Sequence, residues 1–133
     1  MAADIYSGSC LCGEVCFQVQ APSLWCAHCH CSLCQRAHGA AFVTWVGAAV
    51  ERFSLLEGED HLQWFDSTKD SQRGFCRNCG STLFFRSERW PGEMHVVRSN
   101  FSTEIDLQPQ THVFWDTHVA WLDNIESIPR KQS

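Results

Sequence analysis

Seven of the nine cysteines in this 133-residue chain fall into three short clusters: Cys10-Leu11-Cys12, Cys29-His30-Cys31-Ser32-Leu33-Cys34 and Cys76-Arg77-Asn78-Cys79. Thiolates presented in close pairs bind soft or borderline metal ions, above all zinc. The first and third clusters together supply four thiolates, a complete tetrahedral set. The middle cluster supplies three and is one ligand short. A closed site holds structure, whereas a metal with an open position can do chemistry.

Disulfides are the competing use of so many cysteines. Met1-Ala2-Ala3-Asp4-Ile5-Tyr6 has neither the basic start nor the apolar stretch of a signal peptide. The expected location is therefore the cytoplasm, where disulfides are disfavoured. An odd total of nine also fits a disulfide framework poorly. No apolar run approaches the roughly 18 residues that span a bilayer, so no membrane role is expected. The formal charge is −5 and the pI about 5.7. The ten Lys and Arg are scattered, with no cluster beyond Arg130-Lys131, and a nucleic-acid partner is not expected without a basic face. At 15.1 kDa, with six Trp and nine Phe, the chain is predicted to form one domain over residues 1–133 with a real core.

Strand patterns dominate. Val15, Phe17 and Val19 alternate with polar or small neighbours, the period of a half-buried strand. Ala41 to Val46 reads as an apolar strand, and Phe53 to Glu57 and His61 to Phe65 flank a Gly58-Glu59-Asp60 turn. Thr82 to Arg86 and Met94 to Arg98 read as a strand pair around a loop containing Trp90-Pro91-Gly92. Thr111 to Trp115 and a stretch around Trp121 to Ile125 close the chain. Only Ser32 to His38 suggests a helical turn, with Ser32 as a cap. The expected class is mainly β.

On an extended backbone Cys10 and Cys12 point to the same side. Two thiolates on tetrahedral zinc lie about 3.8 Å apart, given a Zn–S length of about 2.3 Å, and a slightly bent C-x-C meets that requirement. Cys76-Arg77-Asn78-Cys79-Gly80 is a zinc knuckle, a tight turn in which backbone N–H groups also point at sulfur. One zinc on both pairs would clip the N-terminal strand to a later hairpin, a large share of the folding energy of so small a domain.

Cys29, Cys31 and Cys34 combine both spacings around a shared central thiolate. The fourth ligand stays open among Cys26, His28, His30, His38 and an outside molecule. With Cys26 the segment reads C-x-x-C-x-C-x-x-C, a cramped four-thiolate site. The spacing matches neither common ferredoxin pattern, and a thioredoxin-like pair lacks its βαβ context. Zinc on three thiolates carries a formal −1 and is a weak Lewis acid. It suits an incoming thiol better than water, because the metal lowers the thiol pKa and keeps sulfur a soft nucleophile. The substrate class this points to is a small thiol or a thiol adduct.

The three clusters and their neighbours resemble the glutathione-dependent formaldehyde-activating enzyme family, which also includes centromere protein V. The matching stretches are Gly8 to Val15, Cys29 to Gly39 and Arg73 to Ser81. The resemblance implies a mainly-β fold of coiled antiparallel sheets, of the Mss4-like or β-tent type. It implies a structural zinc on Cys10, Cys12, Cys76 and Cys79 and a second zinc on Cys29, Cys31 and Cys34. The family's reaction joins glutathione and formaldehyde into S-(hydroxymethyl)glutathione, a carbon–sulfur lyase activity. The rival expectation is a non-catalytic zinc module for protein interaction. A zinc on three protein ligands is also the more easily lost of the two.

Other residues are weighed by charge and position. Arg36, Arg73 and Lys69 are candidates to pair with the carboxylates of an anionic thiol such as glutathione. His38 is a candidate general acid or base, or a donor to a thiolate. Trp45, Trp64, Trp115 and Trp121 read as core or pocket wall. Cys16 and Cys26 read as buried apolar residues, and His112 and His118 as structural or exposed.

Overall fold

Ten strands in two sheets and one short α-helix make up the fold, in a computed structural model that describes residues 4–133. The smaller sheet is β1 (Ile5–Ser9), β2 (Cys16–Gln20) and β5 (Phe53–Glu57). The larger sheet follows the order β10-β3-β4-β9-β8-β7-β6. Its members are β3 (Trp25–Cys29), β4 (Val43–Ala49), β6 (Leu62–Thr68), β7 (Ser71–Cys76), β8 (Thr82–Ser87), β9 (Glu93–Val97) and β10 (Thr111–Val113). All pairs are antiparallel except β10 with β3, which is parallel. The mainly-β expectation holds.

Alternation explains the core. Val15, Phe17 and Val19 are fully buried, as their period of two requires. They meet Ala48, Leu83, Phe84, Met94 and Val96 from the larger sheet. Phe17 packs edge-on against Phe84 and Phe101, with centroids 5.3 Å away in each pair. Burying one such ring is worth about 2–3 kcal/mol.

Because side chains alternate, the larger sheet has a second face with different contents. Register places Cys29 beside Val43, Ala27 beside Trp45 and Trp25 beside Gly47. Trp45 lies beside Val97, Gly47 beside His95, and His95 beside Phe85. Cys29, Cys34, Val43, Trp45 and Val97 therefore form a separate buried cluster, with Trp25, Cys31, Phe85 and Val113 against it. Gly47 is required here, since a Cβ at this position would overlap the Trp25 indole.

Several expectations shift with tertiary context. Strands β1, β3 and β7 lack a strong sequence pattern and form because neighbours pair with them. β5 and β6 flank the Gly58 turn but belong to different sheets. The stretch after β10 is not extended: Phe114 has φ 56° and 3-10 turns follow at Trp115–Thr117 and Ala120–Leu122. Helix α1 (Ser32–His38) is where the sequence places it, but its N-cap is Cys31, whose sulfur accepts from the Cys34 N–H at 3.3 Å. A thiolate takes the capping role because it must already face that helix end. No helix among the described residues is long and apolar enough to cross a membrane.

Candidate metal centres and the cavity beside them

The first centre joins two chain segments at one edge of the core. Cys10 follows β1, and the backbone turns at once, the Gly13 N–H donating to the Cys10 carbonyl at 3.1 Å. A turn, rather than the expected extended C-x-C, brings the Cys10 and Cys12 sulfurs to 3.6 Å. Cys76 ends β7, and the Gly80 N–H donates to its carbonyl at 2.7 Å with Gly80 at φ 79°. Gly80 suits that left-handed turn because it has no Cβ to clash.

Cys12 and Cys76 sulfurs are 3.8 Å apart, and all four sulfurs lie within 4.8 Å of one another. The tetrahedral edge for zinc on thiolates is about 3.8 Å, so the donor set fits such an ion. Surrounding donors favour the charged sulfurs. The Asn78 amide lowers the Cys12 pKa, and the Ser81 hydroxyl holds Cys79 down at about 5. Burial pushes Cys76 the other way, to about 11, a cost that a bound cation would remove.

The second centre lies on the other face of the larger sheet. Cys29 ends β3, while Cys31 and Cys34 stand at the first turn of α1. Their three sulfurs lie within 4.8 Å, with Cys29 to Cys34 at 3.6 Å. Hydrogen bonding from Cys29, then Cys34, brings the Cys31 pKa down to about 2, with help from the Arg73 guanidinium. Cys29 and Cys34 are both raised. Without a cation the negative charge rests on Cys31, and a bound cation would stabilise the other two sulfurs as thiolates. Arg73 donates to the Cys34 sulfur at 3.6 Å and lies 5.0 Å from the Phe85 ring centroid.

No fourth Cys, His, Asp or Glu donor joins this trio among the described residues. His28 is held by Thr44 at 2.8 Å, His30 by His112 at 2.8 Å and His38 by Thr82 at 2.9 Å. Cys26 is fully buried beside Val46 and lies outside the trio. In place of a protein ligand there is space. A cavity of about 520 Å³ opens beside Cys29, Cys31 and Cys34, lined also by Trp25, Trp45, Arg73 and His95.

Of the residues singled out by charge, Arg73 alone reaches this cavity. Arg36 and Lys69 are exposed, and neither lines it. His38 packs edge-on against Trp45 at 5.3 Å and is not part of the cavity wall. Trp64 belongs to the main core, Trp115 stacks on His118 at 3.8 Å, and Trp121 is 70% exposed.

The residue that sequence reasoning missed is His95. Its Nε2 lies 2.9 Å from Glu93 Oε1, the same oxygen that accepts from the Trp25 indole at 3.1 Å. A carboxylate only accepts, so Nε2 carries the proton and Nδ1 keeps a lone pair. Burial lowers the His95 pKa despite the opposing pull of Glu93, so the ring is neutral at pH 7. Alternation of Glu93, His95 and Val97 on β9 was the only available signal, and it is no stronger than for any strand.

His38 carries a testable pH effect. Burial, then Arg73, lowers its pKa to about 4 from an ordinary 6.5. Between those values the unfolded chain binds a proton that the folded chain refuses, so stability rises with pH across the window. From pH 7 to pH 5 this site is expected to lose roughly 1–2 kcal/mol, after discounting for partial exposure. His38→Gln keeps a partner for Thr82 and should flatten that difference in urea midpoints. Acid loss of metal is common to both proteins and cancels. An identical pH dependence in the variant would rule the effect out.

The fold and the two centres define a mainly-β protein with one closed and one open cysteine cluster, both fit for metal. A profile of the glutathione-dependent formaldehyde-activating enzyme family matches residues 5–117, and the chain belongs to that family. It is 27% identical over 131 residues to a provisionally named glutathione-dependent formaldehyde-activating enzyme of Halomonas elongata, covering 92% of this chain and 82% of that protein. It is 32% identical over 82 residues to an uncharacterised lyase of Schizosaccharomyces pombe, covering 60% of this chain and 56% of that one. A crystal structure of a Rhodobacter sphaeroides protein superposes with a TM-score of 0.66 at 23% identity, over 80% of this chain and 99% of that one. That likeness shows the fold alone.

Proposed function

We propose that this chain is a zinc-dependent, lyase-type enzyme that forms or breaks the carbon–sulfur bond between a small thiol and an aldehyde. The reaction would follow the pattern of S-(hydroxymethyl)glutathione formation. One zinc would be structural, on Cys10, Cys12, Cys76 and Cys79, and a second would sit on Cys29, Cys31 and Cys34. The observation that carries this reading is a trio of sulfurs, two buried and one half-buried, that lacks a fourth protein donor among the described residues and borders a cavity. When bound there, zinc supplies an open position for sulfur and lowers the pKa of an incoming thiol.

The chain's own groups supply the rest. Arg73 lines the cavity with one guanidinium nitrogen on the Cys34 sulfur, while its other terminal nitrogen, NH1, is buried with no partner. The guanidinium charge beside the sulfurs would stabilise an oxygen that gains negative charge as sulfur adds to a carbonyl. His95, neutral and with Nδ1 uncommitted, accepts the thiol proton and returns it to that oxygen. Glu93 fixes the ring in the tautomer that this requires.

Cobalt substitution tests the proposal, because cobalt–thiolate bands report the ligands around the ion. Adding glutathione is expected to change the bands of the second site alone. A fully loaded second site whose bands no thiol alters would sink the proposal. It would favour a non-catalytic interaction module with that site closed by protein.

A further inference from the structure

Cavity size and wall chemistry together are out of proportion to a one-carbon aldehyde. Around the three cysteines, the wall is a continuous aromatic cluster centred on His95. Trp25 lies 4.7 Å from the His95 ring, Phe85 5.5 Å, Trp90 5.6 Å and Trp45 6.5 Å. Neighbouring rings brace one another, Trp45 with Phe85 at 6.0 Å and Phe85 with Trp90 at 6.1 Å. The wall is also held from behind. Glu93 anchors Trp25 and His95 together, and the absence of a side chain at Gly47 makes room for the Trp25 indole.

Cavities of about 300–1,000 Å³ take whole organic ligands rather than single carbons, and this one is about 520 Å³. Neither formaldehyde nor the charged, amide-rich body of glutathione matches this apolar wall, and part of it would stay facing water. An aromatic group would displace that water and gain the burial. The polar groups beside the rings include the guanidinium groups of Arg73 and Arg89 and the uncommitted Nδ1 of His95, which suit one oxygen and one proton. Among the described residues no acidic side chain lines the cavity to receive an ammonium group.

We infer that the second site takes thiol adducts of aromatic aldehydes, with sulfur at Cys29, Cys31 and Cys34 and the aromatic group against Trp25, Trp45, Phe85 and Trp90. This rests on the thiol-adduct reading above and names its substrate class. The chemistry balances without an oxidant or reductant. The sulfur lone pair forms the C–S bond, the carbonyl π pair moves to oxygen, and the thiol proton ends on that oxygen. The lyase direction reverses each step.

The test uses the cobalt-substituted full chain and two free thiols, phenylmethanethiol and ethanethiol, which place a benzyl or an ethyl group on the bound sulfur. Binding is read by cobalt–thiolate bands and by quenching of tryptophan fluorescence. Phenylmethanethiol is expected to bind about tenfold or more tightly than ethanethiol. Trp90→Ala, at a half-buried position outside both buried clusters, should shrink that ratio severalfold. Equal affinity for the two thiols, with clear band changes for both, overturns the inference and leaves the proposed function standing. A tenfold ratio that Trp90→Ala does not reduce also overturns it, since the preference would then come from outside this wall. No band change with any thiol overturns the function and the inference together.

Discussion

Cys12→Ser is expected to remove a large part of the folding free energy of this protein. Cys12 is exposed, so its side chain contributes almost no core packing, and a loss of stability there reports the metal. Its sulfur lies 3.6 Å from Cys10 and 3.8 Å from Cys76. The ion those sulfurs fit would join the loop after β1 to the turn after β7, and so the small sheet to the large one. Structural zinc contributes about 10–16 kcal/mol to folding in small peptides, whereas whole domains are stable by only about 5–15 kcal/mol. Losing one ligand of four should therefore cost several kcal/mol. A strong chelator should do the same to the unaltered protein. Cys16→Ser is the control, since Cys16 lies outside both clusters and only bonds the Gly13 carbonyl at 3.2 Å. A near-UV spectrum and thermal midpoint for Cys12→Ser that match the control would remove the structural role.

Cys31→Ser should have the opposite profile, abolishing thiol chemistry while sparing the fold. Cys31 caps α1 by accepting from the Cys34 N–H at 3.3 Å. Serine is among the preferred N-cap residues, so the substitution keeps the helix start and removes the soft donor. Bound zinc should fall from about two ions per chain to about one, with the remaining ion in the four-thiolate site. Carbon–sulfur bond formation should drop by about a hundredfold or more, while the thermal midpoint moves only a few degrees. Retained activity at one zinc per chain would show that the trio does not hold the working ion.

Much of the site was legible because its information is local. Cysteine spacing names both clusters, and each cluster closes over a short stretch of chain: a turn at Cys10–Gly13, a knuckle at Cys76–Gly80, a helix start at Cys31. The Val15, Phe17 and Val19 alternation likewise carries its own evidence, and those side chains are fully buried. Strands β3 and β7 carry none. Trp25, Ala27 and Cys29 share the cavity face, while Cys26 and His28 on the other face are buried and half-buried, so neither face is a polar, solvent-facing one. A strand with work on both sides loses the simple period that would reveal it.

His95 shows the same limit within the site. Nothing near it in the sequence marks it, and its partners come from elsewhere: Trp25 from β3, Phe85 from β8 and Trp90 from the loop between β8 and β9. Arg73 was visible as a charge, but only the register of β7 against β8 sets it beside Phe85 and close to Cys34.

The sequence alone determined the donor atoms: four thiols in two pairs and three more in one cluster. Those follow from residue identity and short spacing, which no folding event changes. Tertiary structure decided what the three-thiolate cluster faces. The histidines that sequence left open as a fourth ligand are hydrogen-bonded elsewhere, to Thr44, His112 and Thr82. Five strands distant in sequence instead contribute rings and one guanidinium to a cavity beside the sulfurs. The reason is the period of two in a β-sheet: whether a side chain enters the core or the cavity is set by register between strands.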